Sequence, residues 1–181
     1  MKKILSLCLI LVLVASLVAC KGGSSEETTV EGGTDAGTPC VALISDVTEV
    51  SPGETVEVAL HIKDSQYTAC FDIYVYADEK LAFEKARTIE GDTGLILAAN
   101  HLEDETGEYV AVRGMVASTC DVMDNVIGRI TYTVSESAVS GDKIALNMQI
   151  PAYQLGVDES GNEVYSVTDS VIVNNLILTV K

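Results

Sequence analysis

The chain contains no tryptophan and little of several other residue types, with two phenylalanines, two histidines and three prolines in 181 residues. The absence of tryptophan excludes the indole platforms on which many proteins stack sugars, and it leaves tyrosine, with seven copies, as the main aromatic residue. The two histidines, His61 and His101, belong to no catalytic or zinc-binding motif. The sequence therefore does not indicate a catalytic or zinc-binding histidine.

Basic residues are also scarce, because 11 lysines and arginines face 27 aspartates and glutamates and give a formal net charge of −16. Such a chain repels phosphate backbones, so nucleic acid is excluded as a partner.

The first 20 residues form a targeting segment. Lys2 and Lys3 precede an apolar run, residues 4–18, that is too short for a comfortable membrane span and is typical of a signal peptide. The run ends in Leu-Val-Ala-Cys20, which resembles the lipobox of bacterial lipoproteins. This resemblance implies that residues 1–19 are a lipoprotein signal peptide and that Cys20 is lipidated. It also implies location on the extracellular face of the bacterial membrane, with membrane contact through the lipid anchor only. The alternative is an ordinary signal peptide with an incidental cysteine.

Residues 20–39 follow as a tether made almost entirely of glycine, serine, threonine and acidic residues. This composition cannot bury enough apolar surface to fold. One folded domain, residues 40–181, remains, and its length is enough for a full hydrophobic core.

Three cysteines remain in that domain, Cys40, Cys70 and Cys120. A disulfide is permitted outside the membrane, and Cys70 could pair with Cys120 or with Cys40, whereas buried free thiols are the other possibility. No CxxC motif is present and no histidine stands at ligand spacing, so no metal site is expected.

Alternating apolar and polar residues dominate the domain and predict strands. The alternation is clearest in residues 55–63, 69–76, 109–117 and 127–134, and further strands are expected at 41–50, 81–89, 143–150 and 171–180. The sequence does not decide whether residues 90–107 contain a short strand or a helical turn. Residues 158–162 predict a hairpin tip. Many short strands separated by turns predict an all-β sandwich.

Three stretches of the domain resemble the cohesin family of scaffoldin modules. They are a strand followed by Pro52-Gly-Glu-Thr-Val, the segment from Cys70 to Leu81, and the segment from Asn125 to Val134, with a Ser-Gly-Asp turn after it. The resemblance spans residues 41–181 and implies a nine-stranded jelly-roll β-sandwich that binds a dockerin-type module. The family's usual Tyr-Asp-Pro is Tyr76-Ala-Asp here, and of the Asn and Asp pair with which known cohesins grip dockerin only Asp72 is available.

No nucleophile elbow, P-loop, dinucleotide fingerprint or HExxH motif occurs, so neither an enzyme nor a cofactor is predicted. The leading hypothesis is a surface lipoprotein whose sheet face attaches polysaccharide-degrading or other surface proteins to the cell. The predicted contact residues are outward ones, namely Asp72, Tyr74, Arg113, Met115, Arg129, Thr131 and Thr133. The alternative is a lipoprotein of the same fold that binds polysaccharide through Tyr74 or Tyr76. A surface enzyme or ligand carrier has the least support.

Overall fold

The computed structural model describes residues 38–89, 95–156 and 165–181, which belong to one unit of the chain. The described part is all-β, as predicted, and contains ten strands and one 3-10 helix, Thr168–Ser170. No helix in it is long and apolar enough to cross a membrane. The strands are β1 Cys40–Ser45, β2 Glu49–Val50, β3 Thr55–Ala77, β4 Leu81–Thr88, β5 Ile96–Asp104, β6 Gly107–Val134, β7 Lys143–Leu155, β8 Tyr165–Ser166, β9 Ile172–Asn174 and β10 Leu176–Val180.

Two strands of unusual length, β3 and β6, organise the sandwich because each contributes to both layers. The start of β3 pairs with β1 and with the end of β6, and the end of β3 pairs with β7 and with the start of β6. The first layer is therefore β4, the end of β6, the start of β3, β1 and β9. The second layer is β5, the start of β6, the end of β3, β7, β10 and β2.

The chain of β3 changes layers at residues 64–67. Asp64 and Tyr67 have φ angles of 54° and 53°, in the left-handed region that residues other than glycine seldom adopt. Buried hydroxyl groups hold this bend, since Ser65 Oγ and Thr68 Oγ1 lie 2.7 Å apart and the Tyr153 hydroxyl donates to Ser65 Oγ at 2.8 Å. The bend therefore has a hydrogen-bonded core of its own.

The hydrophobic core lies between the layers and follows the alternation of the sequence. Val56, Val58, Leu60 and Ile62 are buried on the first layer, as the pattern predicts. Val112 of the second layer lies 3.8 Å from where a Cβ on Gly128 of the first layer would be, so the layers meet directly there. The inward residues of both long strands are buried, namely Phe71, Ile73, Val75, Val110, Ile130, Tyr132 and Val134.

Several predicted boundaries change in the structure. The strand expected at residues 41–50 is two strands, because residues 46–48 leave the ladder, and the one at 171–180 is divided at Asn175, whose side chain accepts the Met148 N–H at 2.8 Å. The open stretch 90–107 contains a strand, β5. The hairpin tip predicted at residues 158–162 lies outside the described residues.

The disulfide considered between Cys70 and Cys120 is not formed in this structure, and neither is one between Cys40 and Cys70. Cys40 and Cys70 are free, half-buried thiols. Cys70 is paired with Met115 in the ladder, whereas Cys120 is opposite Thr68, and the Cys70 thiol donates instead to Gln154 Oε1 at 3.2 Å. The side chain of Cys120 lies outside the described part, as do the predicted signal peptide, Cys20 and nearly all of the predicted tether.

Candidate protein-binding face

The outward side chains of the second layer form one continuous surface, which we call the tyrosine face. It consists of the outward residues of β5, the start of β6, the end of β3 and β7. In strand order these are Ile96, Ala98, Asn100 and Leu102; Met115, Arg113, Ala111 and Tyr109; Cys70, Asp72, Tyr74 and Tyr76; and Gln154, Ala152, Gln149 and Asn147. Ala111 is on the outward side of its strand but is itself buried.

An ion pair crosses the centre of the tyrosine face. Arg113 Nε donates to Asp72 Oδ1 at 3.0 Å, and the two residues are direct partners in the β3–β6 ladder. The guanidinium also donates to the Tyr74 hydroxyl at 3.3 Å, and its carbon lies 6.0 Å from the Tyr74 ring centroid. The hydrogen bond to Tyr74 and then the charge of Asp72 raise the pKa of Arg113. Arg113 is thus fixed and fully charged.

Three tyrosines continue this network along the face. The ring of Tyr109 lies between those of Tyr74 and Tyr76, with centroid distances of 4.8 and 5.1 Å. The Tyr76 hydroxyl donates to Asp104 Oδ2 at 3.1 Å. Partial burial by its neighbours, together with the nearby phenols and Asp104, raises the pKa of Tyr109. The three tyrosines are half-buried, and the hydroxyls of Tyr74 and Tyr76 are held by Arg113 and Asp104.

The other end of the face is apolar. Ile96 and Met115 are direct partners in the β5–β6 ladder and are 66% and 58% exposed. On β5 the small side chain of Ala98, which is paired with Arg113, lies between this end and the tyrosines. The face therefore combines aromatic, arginine and methionine side chains, which are enriched at protein interfaces.

The structure divides the seven predicted contact residues between two surfaces. Asp72, Tyr74, Arg113 and Met115 lie together on the tyrosine face. Arg129, Thr131 and Thr133 belong to the end of β6, which has crossed into the first layer, so the prediction that all seven share one face is wrong. Alternation along β6 identified the outward side correctly, but the sequence did not show that the strand changes layers.

Two of the three remaining residues have local partners on the first layer, and the third is buried. Arg129 Nη1 donates to Glu57 at 2.8 Å, and Thr133 donates to Glu84 Oε1 at 2.9 Å. Thr131 is only 8% exposed, which leaves almost none of it for a partner.

Glu57 accepts from two arginines on this surface, with Arg87 as its second donor at 3.1 Å. Burial opposes the ionisation of Glu57, but the hydrogen bond from Arg129 and the charges of Arg87 and Arg129 outweigh it and lower the pKa of the carboxyl. These groups satisfy one another and are ordinary solvated sheet residues.

Sequence reasoning missed two important members of the tyrosine face, Tyr109 and Ile96. Tyr109 is in phase with Arg113 and Met115 in the same alternating segment, so the signal was present. Ile96 falls in the stretch whose conformation the sequence left open. Among the described residues no cluster of three or more His, Cys, Asp or Glu side chains could hold a metal ion.

No protein-family model matches the chain, and no curated protein does either. Solved structures do match. The seventh ScaB type I cohesin from Pseudobacteroides cellulosolvens has a TM-score of 0.60 at 15% identity, covering 79% of this chain and 92% of that one.

A cohesin in the Coh-OlpA–Doc918 cohesin–dockerin complex from Clostridium thermocellum has a TM-score of 0.55 at 15% identity, covering 78% and 99%. The sixth cohesin of scaffoldin B from Acetivibrio cellulolyticus, in complex with the Cel5 dockerin, has a TM-score of 0.55 at 16% identity, covering 78% and 99%. The domain has the jelly-roll β-sandwich fold of cohesin modules. At these identities the likeness shows the fold.

Proposed function

We propose that this chain is a non-enzymatic surface lipoprotein whose cohesin-like domain binds a dockerin-type protein module through the tyrosine face. The observation that carries the proposal is the fixed Asp72–Arg113–Tyr74 network beside the exposed Ile96–Met115 pair. The bound modules named for two of the similar structures are dockerins, which suggests the class of partner.

The network is suited to recognition because its geometry is already set in the free protein. Arg113 is held by Asp72 and by Tyr74, so little side-chain freedom remains to be lost on binding. The apolar pair Ile96 and Met115 supplies area that a partner can bury. A partner that covers both would place the arginine and the tyrosines near the interface centre, where most binding energy is concentrated.

Binding should be measured with the full-length protein in non-ionic detergent against purified dockerins encoded in the same genome. We expect capture at micromolar concentration or below, and we expect Tyr74→Ala and Met115→Ala each to raise Kd by about ten-fold, which corresponds to about 1.4 kcal/mol.

Arg129→Ala is the matched control, because Arg129 lies on the same strand as Arg113 but on the first layer. Its Kd should stay within about two-fold of wild type, since residues outside an interface change affinity little. Failure of every dockerin to bind, or an equal loss in the Arg129 variant, would contradict the proposal.

The membrane attachment rests on the sequence around Cys20 alone. We expect the mature N-terminus to be a diacylglyceryl-modified Cys20, because two or more acyl chains, at about 0.8 kcal/mol per methylene, anchor a protein stably. Mass spectrometry of the membrane fraction tests the modification. Cys20→Ala should release the protein from the membrane, and unchanged membrane association of that variant would contradict the anchor.

Polysaccharide binding is the second candidate, favoured by the adjacent rings of Tyr74, Tyr109 and Tyr76. The rings are tilted by 36° and 31°, so they do not form a flat platform. Retention on a polysaccharide that is lost in Tyr76→Ala would support this candidate. Absence of binding across soluble and insoluble glycans would remove it.

A further inference from the structure

A cleft of about 520 Å³ opens beside the tyrosine face, where the β3–β4 turn, β5 and the β5–β6 hairpin approach one another. Its volume is within the usual range of small-molecule sites. Tyr76 and Tyr109 line both the cleft and the face, but the remaining walls come from the inner residues of both layers, such as His101, Val110 and Phe83, and from the two turns. The cleft therefore adjoins the tyrosine face but is lined mostly by residues outside it.

Negative charge dominates the walls of the cleft. Asp78, Glu79 and Glu108 line it, and His101 is the only potentially cationic side chain among its lining residues. His101 Nε2 lies 3.4 Å from Glu108 Oε2. The nearby Lys80 does not line the cleft, and its ammonium is bound to Asp142 at 2.7 Å. A ligand carrying negative charge is excluded by this arrangement.

Aromatic rings also line the cleft. Phe83 is stacked on His101 with centroids 4.0 Å apart, and this pair joins β4 of the first layer to β5 of the second. Tyr132 meets Phe83 edge to face at 6.4 Å. Rings and carboxylates together are the surroundings in which organic cations are bound, through the negative faces of the rings and through charge.

One tyrosine that lines the cleft has a hydroxyl without a protein partner. Tyr132 is 2% exposed, and its hydroxyl makes no hydrogen bond to any of the residues that the structure describes. The hydroxyl oxygen itself is not fully buried, so it can exchange water for another hydrogen-bonding group. The hydroxyl of Tyr132 is thus available to a ligand that enters the cleft.

We propose that this cleft binds an organic cation bearing N–H donors, such as the ammonium of a lysine side chain or of a small primary amine. The carboxylates of Glu79 and Glu108 would balance its charge, the rings would contact its methylene groups, and the Tyr132 oxygen would accept a hydrogen bond from it. Divalent metal ions are not favoured, since the described residues contain no group of ligands able to hold one.

The test is an NMR titration of the full-length protein in non-ionic detergent with Nα-acetyl-lysinamide, n-butylamine and tetramethylammonium, at constant ionic strength. We expect saturable shifts of cleft residues with all three cations, weakest with tetramethylammonium because it has no N–H donor. A preference for Nα-acetyl-lysinamide over n-butylamine would identify a protein side chain as the source, and the reverse a free amine. Shifts with cellobiose but with no cation would overturn the proposal in favour of a sugar site.

Glu108→Gln should raise Kd for both amines by at least about three-fold, as expected for loss of one charge beside a cation–π site. Glu49→Gln is the matched control, because it makes the same change on β2 at the opposite edge of the second layer, and its Kd should not change. Tyr132→Phe should weaken the amines but leave tetramethylammonium, which has no N–H, unaffected. Equal effects of the two glutamate variants, or no saturable binding at all, would overturn the proposal.

Comparing tetramethylammonium with the amines therefore separates the contribution of charge from that of hydrogen bonding. Because Glu108 is exposed, its variant should fold, and the test stays decisive even if Tyr132→Phe does not fold. Measuring the dockerin affinity of Glu108→Gln distinguishes binding in the cleft from binding on the tyrosine face. We expect that affinity to be unchanged, so a failed amine titration leaves the proposed function standing, and a failed dockerin capture leaves the cleft standing.

Discussion

The aromatic ring of Phe71 occupies the space that a side chain on Gly114 would fill. The two residues are direct partners in the β3–β6 ladder, and an added Cβ on Gly114 would overlap three atoms of the ring. Phe71 is 2% exposed and stacks on Tyr153 with centroids 5.8 Å apart, so its ring cannot move away from an added Cβ without disturbing this packing. Glycine at position 114 is therefore a packing requirement of the second layer.

Gly114→Ala should destabilise the domain by about 1–3 kcal/mol, the usual effect of overpacking a filled core. Urea unfolding followed by circular dichroism measures it.

Gly128→Ala serves as the control, since a Cβ there would meet its nearest atom, the Arg87 carbonyl oxygen, at an ordinary 3.4 Å. Its effect should stay within about 0.5 kcal/mol, the usual range for a harmless substitution. Phe71→Leu combined with Gly114→Ala should recover part of the loss, and additive losses in the double variant would show that the two positions are not coupled.

Strand alternation allowed the strands and most of the core to be predicted, because burial on one side of a strand leaves a period of two in the sequence. The change of layer within β3 could not be predicted. Residues 63–67 contain no glycine or proline to mark a turn, and the bend depends on Tyr153, a residue distant in sequence whose hydroxyl reaches Ser65. Tertiary contacts therefore decide where the strand changes layers.

The same limit applies to the candidate site. Outward residues of β6 were identified correctly, but Arg113 and Arg129 are on different layers because the strand crosses between them. Alternation shows which residues of a strand face outward, but it does not show to which of the two layers that part of the strand belongs. The Ile96–Met115 contact was hidden for a related reason, since β5 alternates poorly and leaves most of its residues exposed at the edge of its layer.

Acid should weaken the domain through Asp142, whose carboxylate accepts hydrogen bonds from Lys80 Nζ at 2.7 Å and from the Val139 N–H at 3.0 Å. These contacts hold the pKa of Asp142 below its usual value of 3.8, the Lys80 contact being the larger cause. A carboxyl whose pKa is lower in the folded state adds stability above its unfolded pKa, and this stability is lost as the pH falls through the folded value. Asp142→Asn should therefore reduce stability at pH 7 and reduce the loss of stability below about pH 4.

Thermal unfolding between pH 2.5 and 7 would measure this dependence, with Asp46→Asn as the control. Asp46 is exposed in the loop between β1 and β2, and its variant should follow the wild-type pH profile. An Asp142→Asn profile parallel to wild type over the whole range would refute the assignment.

The hydroxyl of Tyr153 should be worth more than that of an exposed tyrosine. Tyr153 is fully buried, and its hydroxyl donates to the buried Ser65 Oγ at 2.8 Å. Tyr153→Phe should cost about 1–3 kcal/mol in unfolding free energy, because Ser65 loses a donor in a site without solvent. Tyr109→Phe is the matched control on the tyrosine face and should change stability by less than about 0.5 kcal/mol. Equal effects of the two variants would contradict the role assigned to the bend.

The free thiols of Cys40 and Cys70 should react with iodoacetamide in the folded protein without prior reduction. Both are half-buried, and their sulfur atoms contact the side-chain amides of Asn174 and Gln154 at 3.2 Å, contacts that are weak enough to break transiently. Peptide mass mapping after a short native labelling would locate the modified residues. Denaturant should accelerate the labelling of Cys70 because unfolding exposes it fully. If Cys70 were labelled only after reduction, in native and unfolded protein alike, it would be in a disulfide, and its assignment as a free thiol bonded to Gln154 would be wrong.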